Sequence, residues 1–138
     1  MKTKLIVSML MILSFAMQSV DAKKYPEIKF DKTTYHMGTF SQDEPIQVCV
    51  FRFRNVGKAP LCITLVHPSC GCTVADYPKE PIPVGGTGEI RLTYDGSHSM
   101  PGKVQKHAQV FTNCKDDMVR LWIVGTMSAM SKKDLERK

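Results

Sequence analysis

From Ile28 onward the chain alternates apolar and polar residues with the two-residue period of half-buried strands. Ile28-Lys29-Phe30 opens the pattern, and Thr33-Thr34-Tyr35-His36-Met37 carries it up to Gly38. The clearest run is Ile46 to Arg54, where Cys49, Phe51 and Phe53 share one face and Arg52 and Arg54 the other. Asn55-Val56-Gly57-Lys58 carries turn residues, and Leu61 to Val66 predicts the next strand. Pro78, Pro81, Pro83, Gly85 and Gly86 punctuate a loop. Gly88 to Tyr94 alternates again, with Ile90, Leu92 and Tyr94 on one side, and Lys103 to Thr112 places Val104, Ala108 and Val110 together. Met118 to Thr126 predicts the last strand, centred on Leu121-Trp122-Ile123-Val124 and apolar on both faces.

No window carries an apolar stripe of period 3.6 long enough for a core helix. Short strands at regular spacing, separated by turn signals, predict an all-β sandwich of seven to nine strands. Its core is expected to hold Phe51, Phe53, Leu61, Ile63, Ile90, Leu92, Val110, Leu121 and Ile123, the inward phase of each strand. Trp122 lies in an apolar run and is expected in the core as well.

The first residues have a different pattern. Lys2 and Lys4 precede Leu5 to Met17, an apolar run interrupted only by Ser8 and Ser14. Val20-Asp21-Ala22 then offers a cleavage site, and Lys23-Lys24 opens a polar segment. Residues 1–22 therefore read as a signal peptide cleaved after Ala22, too short to span a bilayer, which takes ~20 apolar residues. Residues 23–128 form the expected sandwich domain, and residues 129–138 a charged, poorly ordered tail. The expected location is periplasmic or secreted, with no transmembrane span after cleavage.

Cleavage removes two lysines and one aspartate, so the formal net charge falls from +6 to +5. The remaining positive charge is scattered, and no aromatic-basic stripe suggests nucleic acid. No Gly-x-Ser-x-Gly elbow or other nucleophile–base pattern is present. Asp43-Glu44 and Asp116-Asp117 read as solvated turn pairs, and His36, His98 and His107 as surface or loop residues. The chain is thus expected to have no catalytic residues and no cofactor, and not to be an enzyme.

Potentially reactive groups cluster at one place, His67-Pro68-Ser69-Cys70-Gly71-Cys72-Thr73. Three readings stand. In a flat strand, residues two apart have Cα atoms ~6.6 Å apart, at the long end for a disulfide. A turn at Gly71, using the positive φ that glycine tolerates, would bring Cys70 and Cys72 closer. Alternatively, His67, Cys70 and Cys72 form a soft-metal site, since two thiolates and an imidazole suit zinc or cuprous copper. In the third reading both cysteines are small buried thiols that close a loop between sheets. In each case Pro68, which lacks an N–H, should end the strand at or before His67.

Five cysteines are an odd number, so one at least has no partner within the chain. Cys49 shares the core face of Phe51 and Phe53. Cys62 and Cys114 start and end strands expected to pair antiparallel, and are a candidate second disulfide.

Several strings together resemble the bacterial domain-of-unknown-function family 1573. They are Met37-Gly38-Thr39, Phe51-Arg52-Phe53-Arg54-Asn55-Val56-Gly57 and Pro60-Leu61-Cys62-Ile63. Ser69-Cys70-Gly71-Cys72-Thr73 is the most specific, followed by Ile82-Pro83-Val84-Gly85-Gly86-Thr87-Gly88, Thr112-Asn113 and Ile123-Val124-Gly125. The resemblance covers roughly residues 27–127. It implies an Ig-like sandwich, similar in shape to major-sperm-protein-type and ciliary Ig-like modules. The resulting expectation is a non-catalytic binding or structural module that docks onto a protein or an envelope component. The alternative is a periplasmic thiol-redox or soft-metal protein that works through the Cys-Gly-Cys loop.

Overall fold

A computed structural model describes residues 23–131. The expected leader, residues 1–22, and residues 132–138 of the expected tail lie outside the described residues. Eight strands follow in order: β1 (Ile28–Phe30), β2 (Thr34–Ser41), β3 (Ile46–Asn55), β4 (Ile63–Pro68), β5 (Thr73–Asp76), β6 (Thr87–Asp95), β7 (Gly102–Thr112) and β8 (Met118–Ser128). They form two four-stranded sheets, β1-β3-β6-β5 and β2-β8-β7-β4, and no helix occurs among the described residues. All pairings are antiparallel except β2 with β8.

Alternation decides what is buried. Each of the nine expected core residues is 9% exposed or less. The two inner faces interlock through aromatic edges. Tyr35 on β2 meets Phe51 on β3 at 6.1 Å, and Phe40 on β2 meets Tyr94 on β6 at 6.2 Å, both T-shaped. Such pairs add to the burial of apolar area that drives sandwich formation.

The chain changes sheet at both lateral sides of the sandwich. On one side β1 belongs to the first sheet and β2 to the second. On the other, β4 belongs to the second sheet and β5 to the first, with Ser69 to Cys72 between them. The Cys-Gly-Cys segment is thus a sheet-to-sheet crossover.

Several local expectations are corrected. β2 does not stop at Gly38; it continues to Ser41 through a register shift between His36 and Gly38, which Gly38 absorbs at φ +68°. β4 runs on through Pro68 rather than ending at His67. Ser69 N–H donates to the His107 carbonyl, so antiparallel alternation puts Pro68 at a position without a ladder bond. Its missing N–H faces the open edge of the sheet, where it costs nothing and discourages strand addition. Leu61 forms an isolated bridge to Ile82 instead of starting β4, and β5, which has no alternating signal of its own, pairs with β6.

Trp122 is not in the core. It occupies an outward position on β8, half-buried, opposite His107 on β7. The apolar run around it is inward only at Leu121 and Ile123, which are fully buried.

Candidate functional site: the Cys-Gly-Cys crossover and the outer face beside it

Residues 70–73 make a turn closed by the Thr73 N–H, which donates to the Cys70 carbonyl at 3.2 Å. Both flanks are held by the sheets. Before the turn, His107 N–H donates to Ser69 Oγ (3.2 Å) while Ser69 N–H donates to the His107 carbonyl (2.8 Å). After it, Asp95 N–H donates to the Cys72 carbonyl at 2.7 Å. The Cys70 and Cys72 sulfurs stand at bonding distance, 2.03 Å, with Cα atoms 5.1 Å apart, closer than a flat strand would hold them. Cys72 N–H donates to Cys70 Sγ at 3.1 Å. Cys72 also packs against the core cluster, and its sulfur lies 3.9 Å from Thr73 Oγ1.

The turn forms without glycine's special freedom. Gly71 is not among the residues with positive φ, it is exposed, and a Cβ there would meet nothing within 4 Å.

The soft-metal set is not assembled. His67 is exposed in register with Gln109 on the outer face of the second sheet, whereas Cys72 turns toward the core and the two sulfurs face each other. Among the described residues no group of three His, Cys, Asp or Glu side chains is placed to hold a metal ion. Nor is the second candidate bridge made: Cys62 and Cys114 are free. Cys62 lies opposite Asn113, whose backbone N–H donates to the Cys62 carbonyl and whose Oδ1 accepts from the Cys62 N–H. Cys114 is one residue out of step with that pairing and packs against the core cluster. Cys49 is fully buried, and burial pushes its thiol from the ordinary 9.0 up to about 11.

The crossover borders an unusual surface. β2, β4, β7 and β8 contain no aspartate or glutamate, and their outward positions include Lys103 and Arg120. Three of the chain's four histidines, His36, His67 and His107, are in these strands. Cross-strand register sets the outer face in rows. Leu65, Phe111 and Met118 make an apolar row, with Leu65 48% and Met118 37% exposed. Two residues along lies the polar row His67, Gln109 and Arg120, and two further Ser69, His107, Trp122 and Thr34 make another, in which the His107 and Trp122 rings stand 4.9 Å apart. The outer face of the first sheet differs in charge: exposed Ile46, Val48 and Val74 and half-buried Val50 stand there among Lys29, Arg52, Arg54, Glu89, Arg91 and Asp76, which supply mixed charge. Taken one by one along the sequence, the histidines carry no common face, and Trp122 in its apolar run points to the core. The strand periods do place these residues on one face, but only the pairing order puts the strands in one sheet.

Two antiparallel-dominated sheets, a filled interior and lateral crossovers define an Ig-like, PapD-like β-sandwich. The chain belongs to the DUF1573 family, "Protein of unknown function", whose pattern matches residues 28–127. Among curated proteins none matches the sequence. Solved structures share the fold. A protein of unknown function from Porphyromonas gingivalis W83 superposes with a TM-score of 0.67 at 17% identity, over 80% of this chain and 51% of that one. The chain thus spans about half the length of that relative. The ASH/PapD-like domain 7 of human CEP192 gives 0.59 at 9% identity, over 84% and 97%. The YadV chaperone gives 0.51 at 19% identity, over 75% and 52%.

Proposed function

We propose that this chain is a non-catalytic binding module of the bacterial envelope, periplasmic or secreted, that docks a protein or envelope component on the outer face of its second sheet. The observation that carries this reading is the composition of that face. It combines a Leu65-Phe111-Met118 row, exposed at Leu65 and Met118, with Trp122, His107, Lys103 and Arg120, in four strands that contain no carboxylate. Exposed apolar residues mark contact surfaces; the first sheet also exposes Ile46, Val48 and Val74, but among mixed charges, whereas on the second sheet no carboxylate accompanies them. A face whose strands carry Lys103 and Arg120 outward and no carboxylate favours a partner with acidic groups around an apolar centre. The leader in the sequence supports the location, and the filled interior supports docking at the surface rather than turnover in a cavity. Edge-strand pairing is a weaker alternative: β1 and β5 are short, and β4 carries Pro68 on its open edge.

Two matched variants test the reading by affinity capture from native envelope extract. Leu65→Glu places a carboxylate on the proposed face, and Val48→Glu does the same at a comparably exposed site on the other sheet, 48% against 50%. Leu65→Glu should weaken retention of the captured partner by about tenfold or more, as expected for an interface residue near a hot spot, while Val48→Glu leaves it unchanged. Equal retention by both variants would remove the docking face from the account.

A further inference from the structure

The docking face leaves the Cys-Gly-Cys crossover unused. We propose that Cys70 and Cys72 form a reversible thiol–disulfide exchange site, with Cys70 as the sulfur that exchanges with a partner and Cys72 as the resolving thiol. The co-reactant is a dithiol or a disulfide on another molecule.

Three observations assign the roles. First, their packing differs: both cysteines are half-buried, but Cys72 packs against the core cluster and Cys70 is not part of it, and Gly71 between them is exposed and carries no side chain to shield the pair. Second, Cys72 N–H is aimed at Cys70 Sγ at 3.1 Å, so a thiolate released there finds a hydrogen-bond donor already in place. Donors to the charged form favour it, which makes Cys70 the better-stabilised thiolate. Third, the frame holds itself without the sulfurs. The Ser69–His107 bonds, the Thr73-to-Cys70 turn bond and the Asp95-to-Cys72 bond fix both flanks. Opening the pair unmakes neither sheet, as a working site on rigid elements requires. A bond that spans one residue also restricts the unfolded chain far less than a long-loop staple does, so a purely structural role is a poor match to its placement.

The exchange balances as follows. A partner thiolate attacks Cys70 Sγ, a mixed disulfide forms, the Cys70–Cys72 bond breaks, and Cys72 leaves with the electron pair and takes up a proton. The partner's second thiolate attacks the mixed disulfide and expels Cys70 as a thiolate facing the Cys72 N–H. The partner dithiol becomes a disulfide and loses two electrons, and the chain gains them as two reduced cysteines. With a partner disulfide the same steps run in reverse.

The test uses the protein with Cys62→Ser and Cys114→Ser, so that the remaining thiol outside the loop is the buried Cys49. Adding Cys72→Ser leaves Cys70 as the loop thiol, and adding Cys70→Ser leaves Cys72. Each is incubated with oxidised glutathione, and the mixed disulfide is followed by mass spectrometry. Cys70 should form its adduct at least about tenfold faster than Cys72, following the packing and thiolate argument. Equal rates, or a faster Cys72, overturn the assignment. The parent with both loop cysteines keeps the proposal falsifiable should a variant fail to fold. Dithiothreitol should reduce it completely while its circular dichroism stays that of the folded protein. A loop that is reduced only after denaturant unfolds the chain would contradict an exchange site and leave a buried clamp.

Discussion

The side-chain amide of Asn55, at the end of β3, donates to the carbonyl of Ile82 at 3.1 Å and to that of Ala59 at 2.8 Å, while its Oδ1 accepts from the Gly57 N–H at 3.1 Å. Asn55 is fully buried, and this one side chain ties a turn, a loop and a strand end together in a place water does not reach. Asn55→Ala should strand the Ala59 carbonyl and the Gly57 N–H, while the Ile82 carbonyl keeps the Leu61 N–H, at a cost of roughly 2–4 kcal/mol, since each buried unsatisfied group costs about 1–3. Urea unfolding reads the loss as a lower midpoint at unchanged slope. A change under about 0.5 kcal/mol would mean that the network relaxes around the gap.

Two glycines in recognisable strings should respond in opposite ways. A Cβ on Gly57 would sit 2.3 Å from the Glu27 backbone nitrogen, whereas one on Gly71 meets nothing within 4 Å. Gly57→Ala should therefore cost at least about 2 kcal/mol, and Gly71→Ala should stay within about 0.5, as surface substitutions do. Thermal melts of the two variants check the contrast.

Cys49 gives the fold an alkaline limit. Its thiol is pushed up to about 11 from an ordinary 9.0 by burial. In the unfolded chain the thiol ionises near 9, while the folded core keeps it protonated until about 11. The contribution is fully present below pH 9 and is lost as pH rises through that window. At about 1.4 kcal/mol per pH unit, the expected fall is on the order of 2–3 kcal/mol. Stability measured from pH 8 to 11 should show this slope in the wild type and lose it in Cys49→Ala, whatever that variant costs at neutral pH. An unchanged slope would place the alkaline sensitivity elsewhere.

Removal of the loop sulfurs should be mild. Replacing both Cys70 and Cys72 by Ser should cost about 1–2 kcal/mol, the chain-entropy value for so short a loop. A loss of several kcal/mol in chemical denaturation would indicate a staple rather than an exchange site.

Much of the fold could be read from the sequence because a period of two, once present, forces the face of every side chain. Cys49, Phe51 and Phe53 needed no further information to be placed inside. Where alternation was weak, reading failed. β5 is a four-residue edge strand whose identity comes from pairing with β6. β2 runs through Gly38, which looked like an end but works as a bulge. Trp122 lies in a strand that is apolar on both faces, so composition could not say which face was inner. The candidate site was half legible. The two cysteines announced themselves by spacing, but the donor aimed at Cys70 belongs to a turn that spacing does not fix. The acid-free face depends on β2, β8, β7 and β4 being neighbours, and that order is a product of repeated crossings between the sheets rather than of any local string.

The docking face is tested most directly by placing a photo-reactive amino acid at position 122, beside His107, and at position 52, on the outer face of the first sheet. Both proteins are irradiated in the intact envelope. The account predicts a discrete cross-linked species from position 122 and none from position 52, with the species weakened by Leu65→Glu. Cross-linking from position 52 alone, or equal cross-linking from both, would contradict it.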